Sequence, residues 1–550
     1  MKQKPPILTL VNLQPEEDAG VLPLGAACVA ASLVQTKLLP RENISLLASP
    51  VGDSPDLLIS RILAGKPDIV GFSLYCWNSK VSAALAQSIR ADHPGIVIVA
   101  GGPDSEALDP AASGMPFDAI FLGEAEANFA AWFETRFVAT AGQTAESPAR
   151  PPRGECVVIR SCPCDAASLP SPWLEGVLEP KRGGAVAWEL TRGCPFHCTY
   201  CYEGRGTSGL RHLPESRIAA ELELFVRCGV SEIFVLDPTF NVQKGRALSL
   251  LKLFARKGGD IAWNFEIRAE LLDPAQAEAF ASLPCSLQIG LQSAFPNVLK
   301  KVGRDIDRKK FASKVGLLNT AGAAFGFDLI YGLPGDSLSG FRESLDFALA
   351  LSPNHLDIFP LAVLPGTVLR TQATDFALDF DVEPPYLLRG HPSFPAADMV
   401  IAARLALSVS IFYTRGRAVP WFLAILKPLR MKPVEFLAEF RADFDGRESA
   451  GPRNHREIEA LQCAHISRLY EKRGKFALIP AALDLIRYHG AWSRAFAEAE
   501  KSTLNLSYPL RKVEGLEILD LEGFCRKTAL DPCTIELRPT NREPSAKILR

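Results

Sequence analysis

Short apolar runs alternate with amphipathic segments through the first two thirds of the chain. Over residues 5–135, helical segments separate five runs that have the length of buried strands: ILTLVNL, ISLLAS, PDIVGFSLY, GIVIVAGGP and FDAIFLGE. Buried strands that alternate with helices form parallel sheets with helices on both faces. The pattern predicts an α/β fold that begins with a doubly wound, flavodoxin-like parallel sheet. Ligands of such sheets bind beyond the carboxyl ends of the strands.

A second block of the same kind covers residues 183–370. Six strand-like runs follow one another with helical segments between them: AVAWELTRG, SEIFVLDPTF, IAWNFEIRAELL, SLQIGLQS, AAFGFDLIYGLPG and HLDIFPLAVLPG. Six consecutive β/α units predict a partial version of the (β/α)8 barrel, in which the chemistry lies at the carboxyl ends of the strands.

The remaining segments are a linker and a C-terminal region. Residues 139–182 include TAGQTAESPARPPRG, a composition typical of linkers, followed by Cys156, Cys162 and Cys164, which we interpret as reduced thiols. Residues 371–550 contain five long segments with helical periodicity, which predict a mainly helical domain. The final residues, TIELRPTNREPSAKILR, predict one strand and then a solvated basic tail. The expected domains are therefore 1–138, 139–182 (the linker), 183–370 and 371–550.

Composition narrows the class of protein. The 550 residues carry a net charge of −2, which argues against nucleic acid or an anionic membrane as the main partner. Thirteen cysteines without paired spacing suit a reducing compartment. The first twenty residues turn acidic where a signal peptide would stay apolar, and residues 396–413 include Asp398 and Arg404, which predict a buried helix rather than a membrane span. We expect a cytoplasmic protein.

Three cysteines stand close together on the loop after the first strand of the second block. Cys194, Cys198 and Cys201 have C-x3-C-x2-C spacing. A structural zinc site takes four ligands, and His197 would compete with its neighbour Cys198 for the same geometry. A disulfide would leave one thiol over. Four-iron clusters take four thiolates, so a site that offers three leaves one iron open to another ligand.

This spacing, with Tyr200 directly before the third cysteine, resembles the signature of the radical S-adenosylmethionine (SAM) enzymes. The resemblance implies that Cys194, Cys198 and Cys201 hold a [4Fe-4S] cluster. In that family SAM chelates the fourth iron, and one electron from the cluster cleaves a carbon–sulfur bond to give a 5′-deoxyadenosyl radical.

The same resemblance implies a set of SAM contacts. Residues 237–241 stand where the family's second-strand motif meets the SAM amino group, although the usual Gly-Gly-Glu is missing. GLQSAFPNVLKKVGR resembles a stretch that places Gln292 and Ser293 at the ribose and Arg304 at the SAM carboxylate, and YGLPGDS resembles the glycine motif near adenine. The expected SAM-binding residues are Tyr200, Asp237, Thr239, Asn241, Glu266, Arg268, Gln292, Ser293 and Arg304.

The N-terminal block resembles the cobalamin-binding domain that precedes many radical SAM enzymes. The resemblance rests on PLG, PDIVGFS, GGP and GEAE, in this order. The Asp-x-His-x-x-Gly motif of other B12 proteins is absent, and the one histidine before residue 134, His93, precedes the next strand at its amino end. We therefore expect cobalamin to bind base-off and His-off, with its tail near Gly101 and Gly102. The expected cobalamin-binding residues are Gly25, Ser73, Tyr75, Trp77, Asn78, Gly101, Gly102, Pro103, Gly123 and Glu124.

Together the two resemblances imply a cobalamin-dependent radical SAM methyltransferase that acts on an unactivated carbon. The alternative is a rearrangement or oxidative cyclisation without methyl transfer. A non-catalytic B12 sensor would not need the cysteines, and tRNA methylthiolation would need three more cluster cysteines where only Cys28 and Cys76 occur. FNVQKGRALSLLKLF and DVEPPYLLR resemble a subgroup with an uncharacterised helical C-terminal domain.

The two resemblances imply two kinds of partner, which are a small-molecule or peptide substrate and an external one-electron donor of the flavodoxin or ferredoxin type. Neither nucleic acid nor a membrane is expected, and no residue is assigned a catalytic role.

Overall fold

The computed structural model describes residues 4–15, 23–112, 114–138, 156–161, 163–203, 209–444, 454–540 and 543–549. The expected linker sequence from Thr140 to Gly154 and the thiol of Cys162 lie outside these residues. The chain divides into two compact units. The first comprises Met1–Leu287, Val302–Arg304 and Ala362–Arg389, and the second comprises Gln288–Lys301, Asp305–Leu361 and Gly390–Arg550.

The first unit begins with a six-stranded sheet whose strand order is β2-β1-β3-β4-β5-β6. All its strand pairs are parallel, so the prediction of a doubly wound sheet is confirmed. Its apolar core includes Val11, Val70 and Ile98, which are buried between the sheet and its helices. The elements are β1 (Leu8–Gln14), α1 (Leu24–Gln35), β2 (Ile44–Pro50), α2 (Pro55–Leu63), β3 (Ile69–Ser73), α3 (Ser79–Asp92), β4 (Val97–Gly101), β5 (Ala119–Leu122), α4 (Glu126–Phe133) and β6 (Val157–Arg160).

Strand β6 has no counterpart among the predicted strands and lies in the range expected to be a linker. It pairs with β5 at the edge of the sheet. Three of its four side chains are exposed, so its sequence lacks the apolar periodicity that marks a strand buried on one face.

A second six-stranded sheet has the order β14-β13-β12-β11-β10-β7. Its strands coincide with the six runs predicted from the sequence, which confirms the six consecutive β/α units. The elements are β7 (Ala185–Trp188), β8 (Thr191–Arg192), β9 (Arg211–His212), α5 (Glu215–Cys228), β10 (Glu232–Val235), α6 (Lys244–Lys257), β11 (Ala262–Ile267), α7 (Pro274–Ala281), β12 (Cys285–Gln292), α8 (Pro296–Lys301), α9 (Arg308–Ala321), β13 (Ala324–Tyr331), α10 (Leu338–Ala350) and β14 (His355–Pro360).

Strand β7 is held in place by a buried polar contact within the first unit. The indole Nε1 of Trp188 donates to Glu221 Oε2 at 2.6 Å, and the Trp188 ring packs edge-on against Phe225. Glu221 is fully buried and also accepts a hydrogen bond from Arg217 at 2.9 Å. The loop that carries the three cysteines therefore starts from a fixed strand.

The C-terminal part of the chain is mainly helical, as predicted. Helix α12 and the π-helical turn that follows it are long and apolar enough to cross a membrane, but 44% of this segment, Ala396–Arg415, is buried inside the protein. The elements are α11 (Val368–Thr371), β15 (Asp379–Phe380), β16 (Leu388–Gly390), α12 (Ala396–Val409), α13 (Phe422–Leu429), α14 (Pro433–Phe444), α15 (His455–Lys472), α16 (Ile479–Ala497), β17 (Ser502–Leu506), α17 (Leu510–Val513), α18 (Leu521–Lys527), β18 (Cys533–Arg538) and β19 (Ser545–Ile548).

The expectation for the last residues is corrected in one respect. Strands β17, β18 and β19 form an antiparallel sheet, so the segment expected to be a solvated tail contains a paired strand. Three of the four side chains of β19 are exposed.

Candidate functional site

A cavity of about 730 Å³ lies at the carboxyl ends of the strands of the first sheet. Ser73, Gly101 and Leu122, which lie at the ends of β3, β4 and β5, line it. This is the edge at which ligands of doubly wound sheets bind. The cavity brings together most of the residues expected to contact cobalamin, namely Gly25, Ser73, Tyr75, Gly101, Gly102, Pro103, Gly123 and Glu124.

Trp77 and Asn78, the other two expected contacts, are not among the residues that line the cavity. The Asn78 side chain is buried and donates to the backbone oxygens of Leu13 and Ser73 at 2.9 and 3.0 Å, while its Oδ1 accepts the Tyr75 N–H at 2.9 Å. The Trp77 ring stacks on the Tyr75 ring with centroids 4.4 Å apart. Asn78 and Trp77 therefore fix the loop that presents Tyr75 to the cavity.

The GGP turn can form only with glycine at position 102. Gly102 has a φ of +101°, and a Cβ atom there would lie 2.6 Å from the backbone oxygen of Leu74. The Leu74 N–H donates to the Gly101 oxygen at 2.7 Å, which holds the two loops together. The absence of a side chain at this turn lets a flat ligand approach the backbone closely.

No histidine is among the described residues that line the cavity. His93 ends α3, is exposed, and lies before β4, whose first residue is Val97. It is therefore at the amino end of that strand, as expected.

Cys194, Cys198 and Cys201 are half-buried on the loop after β8, and none is in a disulfide. Burial raises the pKa of the Cys194 thiol. No described residues form a group of three or more His, Cys, Asp or Glu side chains placed to hold a single metal ion. Thiolates that each bind a different iron need not converge on one point, so three thiols on one loop fit an iron–sulfur cluster.

The backbone of this loop, the cluster loop (Cys194–Cys201), is held at its middle. The Thr199 N–H donates to the Val302 oxygen at 3.0 Å, and the Thr199 oxygen accepts the Leu369 N–H at 2.8 Å. Leu369 belongs to a returning segment, Ala362–Arg389, that is part of the first unit. The same segment adds Gly366 to the cavity wall.

The returning segment also contacts the first sheet. The Tyr386 hydroxyl is bonded to Asp104, which follows the GGP turn, and burial together with this bond raises the pKa of Tyr386. Lys80 and Glu383 form a salt bridge at 2.5 Å.

Two arginines lie near the cysteines. The Arg268 guanidinium is 3.7 Å from the centre of the Phe196 ring, and Arg304 is hydrogen-bonded to the Tyr200 hydroxyl. Burial raises the pKa of Tyr200, while the positive charge of Arg304 acts in the opposite direction. These cations could pair with a ligand carboxylate beside the thiols.

Several of the other expected SAM contacts bond to the protein itself. Asp237 is buried, accepts the N–H groups of Leu190 and Thr191 at 2.8 and 2.9 Å, and has a pKa that burial raises to about 6. The Asn241 amide bonds to both the N–H and the oxygen of Arg268 at 3.0 Å. These two side chains therefore fix the ends of β7 and β11.

Thr239 and Glu266 occupy the same edge of these strands. The Thr239 hydroxyl donates to the Pro238 oxygen at 2.6 Å. The Glu266 side chain is exposed on β11, and its backbone oxygen accepts the Phe240 N–H at 2.8 Å.

Gln292 and Ser293 lie in the second unit. Gln292 has a φ of +64°, and its buried Oε1 has no hydrogen-bond partner among the described residues. The Ser293 Oγ is buried, accepts the Phe295 N–H at 3.2 Å and lies 3.4 Å from Ser344 Oγ. Gln292 thus has a buried acceptor that no described residue satisfies, whereas Ser293 stabilises the start of α8.

Another wall of the cavity is formed by Glu124, which was expected at this site, together with four charged residues that the sequence did not point to: Glu126, Glu189, Arg192 and Arg211. Arg192 contacts Glu126 at 2.6 Å, Glu189 at 3.0 Å and Glu124 at 3.3 Å. Arg211 makes two bonds to Glu124, one of 2.9 Å. Burial alone would raise the pKa of Glu124, but the two guanidiniums lower it to about 2. In the sequence, the indication that this group belongs to the site is the position of Arg192, two residues before Cys194.

Comparison with known proteins gives two family matches. Residues 188–348 match the radical SAM superfamily, and residues 20–132 match the B12 binding domain. The chain is 27% identical over 365 residues to the cobalamin-dependent radical SAM methyltransferase TokK of Streptomyces tokunonensis, covering 59% of this chain and 50% of TokK. It is 28% identical over 343 residues to the 2-(S-pantetheinyl)-carbapenam-3-carboxylate methyltransferase of Streptantibioticus cattleyicolor, covering 56% and 48%. The chain thus spans about half the length of these relatives.

Solved structures share the fold at low sequence identity. The cobalamin-dependent SAM radical enzyme OxsB with aqua-cobalamin bound has a TM-score of 0.58 at 13% identity, over 95% of this chain and 83% of OxsB. The radical SAM methyltransferase TsrM from Kitasatospora setae, with tryptophan and aza-SAM bound, has a TM-score of 0.53 at 16% identity, over 67% and 76%.

Proposed function

Because this chain carries a B12-binding domain followed by a radical SAM domain, and so belongs to the radical SAM proteins that contain a B12-binding domain, we propose that it is a cobalamin-dependent methyltransferase acting on an unactivated carbon. One observation carries the proposal. A single cavity is lined both by the glycine turns of the first sheet, at Gly101 and Gly123, and by Gly193, the residue directly before the first cysteine of the cluster loop. Two cofactors bound at these elements would be neighbours.

When bound, the cluster with SAM supplies a radical that removes a hydrogen atom, and cobalamin supplies a methyl group. In this proposal the thiolates of Cys194, Cys198 and Cys201 hold the cluster, and Arg304 pairs with the carboxylate of SAM. Gly102 would let the corrin approach the backbone, and Tyr75 would contact the corrin from the same wall of the cavity. Base-off, His-off binding of cobalamin is part of the proposal, and it is compatible with the lack of histidine among the described residues that line the cavity.

The alternative with the same cofactors is a rearrangement or oxidative cyclisation without methyl transfer. Methyl transfer is favoured because TokK and the carbapenam-carboxylate relative are both named as methyltransferases, whereas OxsB is named only as a cobalamin-dependent SAM radical enzyme. The substrate in either case is a small molecule or peptide, and an external one-electron donor of the flavodoxin or ferredoxin type reduces the cluster. The proposed location is the cytoplasm.

The test uses the full chain, reconstituted anaerobically with iron, sulfide and hydroxocobalamin and then given an excess of a low-potential one-electron reductant, which supplies the electrons that SAM cleavage and the methylation of cobalamin consume. We expect about four irons per chain, reductive cleavage of SAM, and transfer of the label from methyl-labelled SAM to cobalamin. Replacing any one of Cys194, Cys198 or Cys201 by Ala should abolish SAM cleavage, while Cys228→Ala on α5 should not. SAM cleavage without methylation of cobalamin would favour the alternative reaction, and a triple variant that still cleaves SAM would overturn the cluster assignment.

A further inference from the structure

Arg192 connects the turn that lines the cobalamin cavity with the loop that carries the cysteines. Its guanidinium bonds to Glu126 at 2.6 Å and to Glu124 at 3.3 Å, both on the GEAE turn after β5. Its Nε bonds to Glu189, at the end of β7, at 3.0 Å. Arg192, Glu124, Glu126, Glu189 and Arg211 together are called the Arg192 clamp below, and all five line the cavity.

The centre of the clamp, the pair of Arg192 and Glu126, is largely shielded from water, whereas the side chains of Glu124, Glu189 and Arg211 are 22%, 27% and 21% exposed. The Arg192 and Glu126 side chains are 12% and 7% exposed. Breaking one partner of a buried ion pair leaves an uncompensated charge, which costs far more than the loss of a surface pair. Glu124 also accepts two hydrogen bonds from Arg211. Arg211 lies opposite Arg192 in the antiparallel backbone pairing of β8 and β9. We therefore expect the five side chains to move together.

The backbone transmits this constraint directly to the cluster loop. Only Gly193 separates Arg192 from Cys194, and Gly193 is buried with a φ of +85°. A displacement of the GEAE turn would therefore displace Arg192 and, with it, the first cluster cysteine.

We propose that Arg192 is a positioning residue that fixes the cluster loop against the GEAE turn, so that cobalamin and the cluster each strengthen the binding of the other. The inference rests on the proposed function, in which the cavity takes cobalamin and the cysteines take the cluster. Coupling between two sites is reciprocal, so either cofactor can be titrated.

The experiment measures the Kd of hydroxocobalamin from its absorbance, under anaerobic conditions, for the full chain with and without its reconstituted cluster. For the natural sequence we expect binding about 5- to 100-fold tighter when the cluster is present. Arg192→Gln should bind each cofactor but bring this ratio close to one. Arg192→Lys keeps the positive charge but lacks the planar guanidinium that contacts three carboxylates at once, and it should give an intermediate ratio.

The matched control is Arg61→Gln, which removes a half-exposed ion pair to Asp53 in the same sheet domain and should leave the ratio unchanged. If Arg192→Gln does not fold, as judged by circular dichroism, Glu126→Gln removes one arm of the clamp and should lower the ratio. Two results would overturn this inference and leave the proposed function standing. One is a Kd ratio of one for the natural sequence, and the other is a Kd ratio in Arg192→Gln, or in a folded Glu126→Gln, equal to that of the natural sequence. Failure of the natural sequence to bind either cofactor overturns the proposed function instead.

Discussion

The backbone oxygen of His197 lies 2.5 Å from the position that a Cβ atom would occupy at Gly303. Gly303 has a φ of +70°, and its neighbour Val302 accepts the Thr199 N–H. Two features therefore require glycine at position 303. Its positive φ disfavours other residues, and a Cβ atom would collide with the backbone of the cluster loop.

Gly303→Ala should therefore reduce the iron content of the reconstituted protein by more than half. The positive φ alone costs about 1–2 kcal/mol, and the Cβ atom would also push against the loop between Cys194 and Cys198. Gly322→Ala is the matched control, because Gly322 has a φ of +78° but no atom within 4 Å of its Cβ position. It should lose stability to thermal unfolding but keep its iron. Equal iron contents in the two variants would show that the contact with His197 is unimportant.

Gly102→Ala should weaken cobalamin binding by at least tenfold, which corresponds to about 1.4 kcal/mol. The new Cβ atom would lie 2.6 Å from the Leu74 oxygen and would open the turn that lines the cavity. Titration with hydroxocobalamin measures the effect. Gly95→Ala, in the same sheet domain with no atom within 4 Å, should bind like the natural sequence, and an unchanged affinity of Gly102→Ala would remove this turn from the binding site.

Arg304→Gln should raise the Kd for SAM about 10- to 100-fold, because a hydrogen bond between charged groups contributes about 1.5–3 kcal/mol. Iron content should not change, since Arg304 is not a ligand. Tyr200→Phe removes only the bond between Tyr200 and Arg304 and should have a smaller effect. Equilibrium binding of SAM to the reconstituted protein distinguishes these outcomes, and an unaltered Kd in Arg304→Gln would contradict its pairing with the carboxylate.

Asp237 should make the protein less stable as the pH rises. Its pKa in the folded protein is about 6, raised from its ordinary value of 3.8 by burial. A carboxyl group with a raised pKa favours the folded state below pH 3.8, and this contribution is lost as the pH rises through 6. Between those values the difference amounts to at most about 3 kcal/mol. The melting temperature of Asp237→Asn should accordingly rise relative to that of the natural sequence between pH 4 and pH 7.

Asp273 provides the control of opposite sign, because its hydrogen bond to Lys244 lowers the pKa of its carboxyl group. The melting temperature of Asp273→Asn should fall relative to that of the natural sequence as the pH rises to neutrality, since the natural carboxylate then contributes its stabilisation. A pH-independent difference for Asp237→Asn would mean that Asp237 is ionised throughout this range.

Hydrophobic periodicity predicted the strands of the two six-stranded sheets that are buried on at least one face, such as β3 and β13, because burial selects apolar residues directly. It did not predict β17, in which one of the two buried positions is the polar Ser502. It also missed β6 and β19, whose side chains are mostly exposed. Short-range motifs likewise located the cysteines and the glycine turns. The bonds of Arg192 to Glu124 and Glu126 join residues far apart in sequence, and no local pattern encodes such contacts.

Local motifs also could not distinguish a ligand contact from an internal bond. Asp237 and Asn241 occupy strand ends where ligand-binding residues are expected, but their side chains bond to the backbone of Leu190, Thr191 and Arg268. The polar residue type is the same for both roles, and only the three-dimensional neighbours separate them.

The returning segment has a consequence for how the protein is made. Ribosomes release a chain from its amino end, and domains generally fold as they emerge. The cysteines of the cluster loop leave the ribosome long before Leu369, which holds Thr199, and before Tyr386, which holds Asp104. The first unit is therefore incomplete until synthesis has passed through β14 and the segment that follows it, so delivery of iron, sulfide and cobalamin to a finished site must wait for this late part of translation.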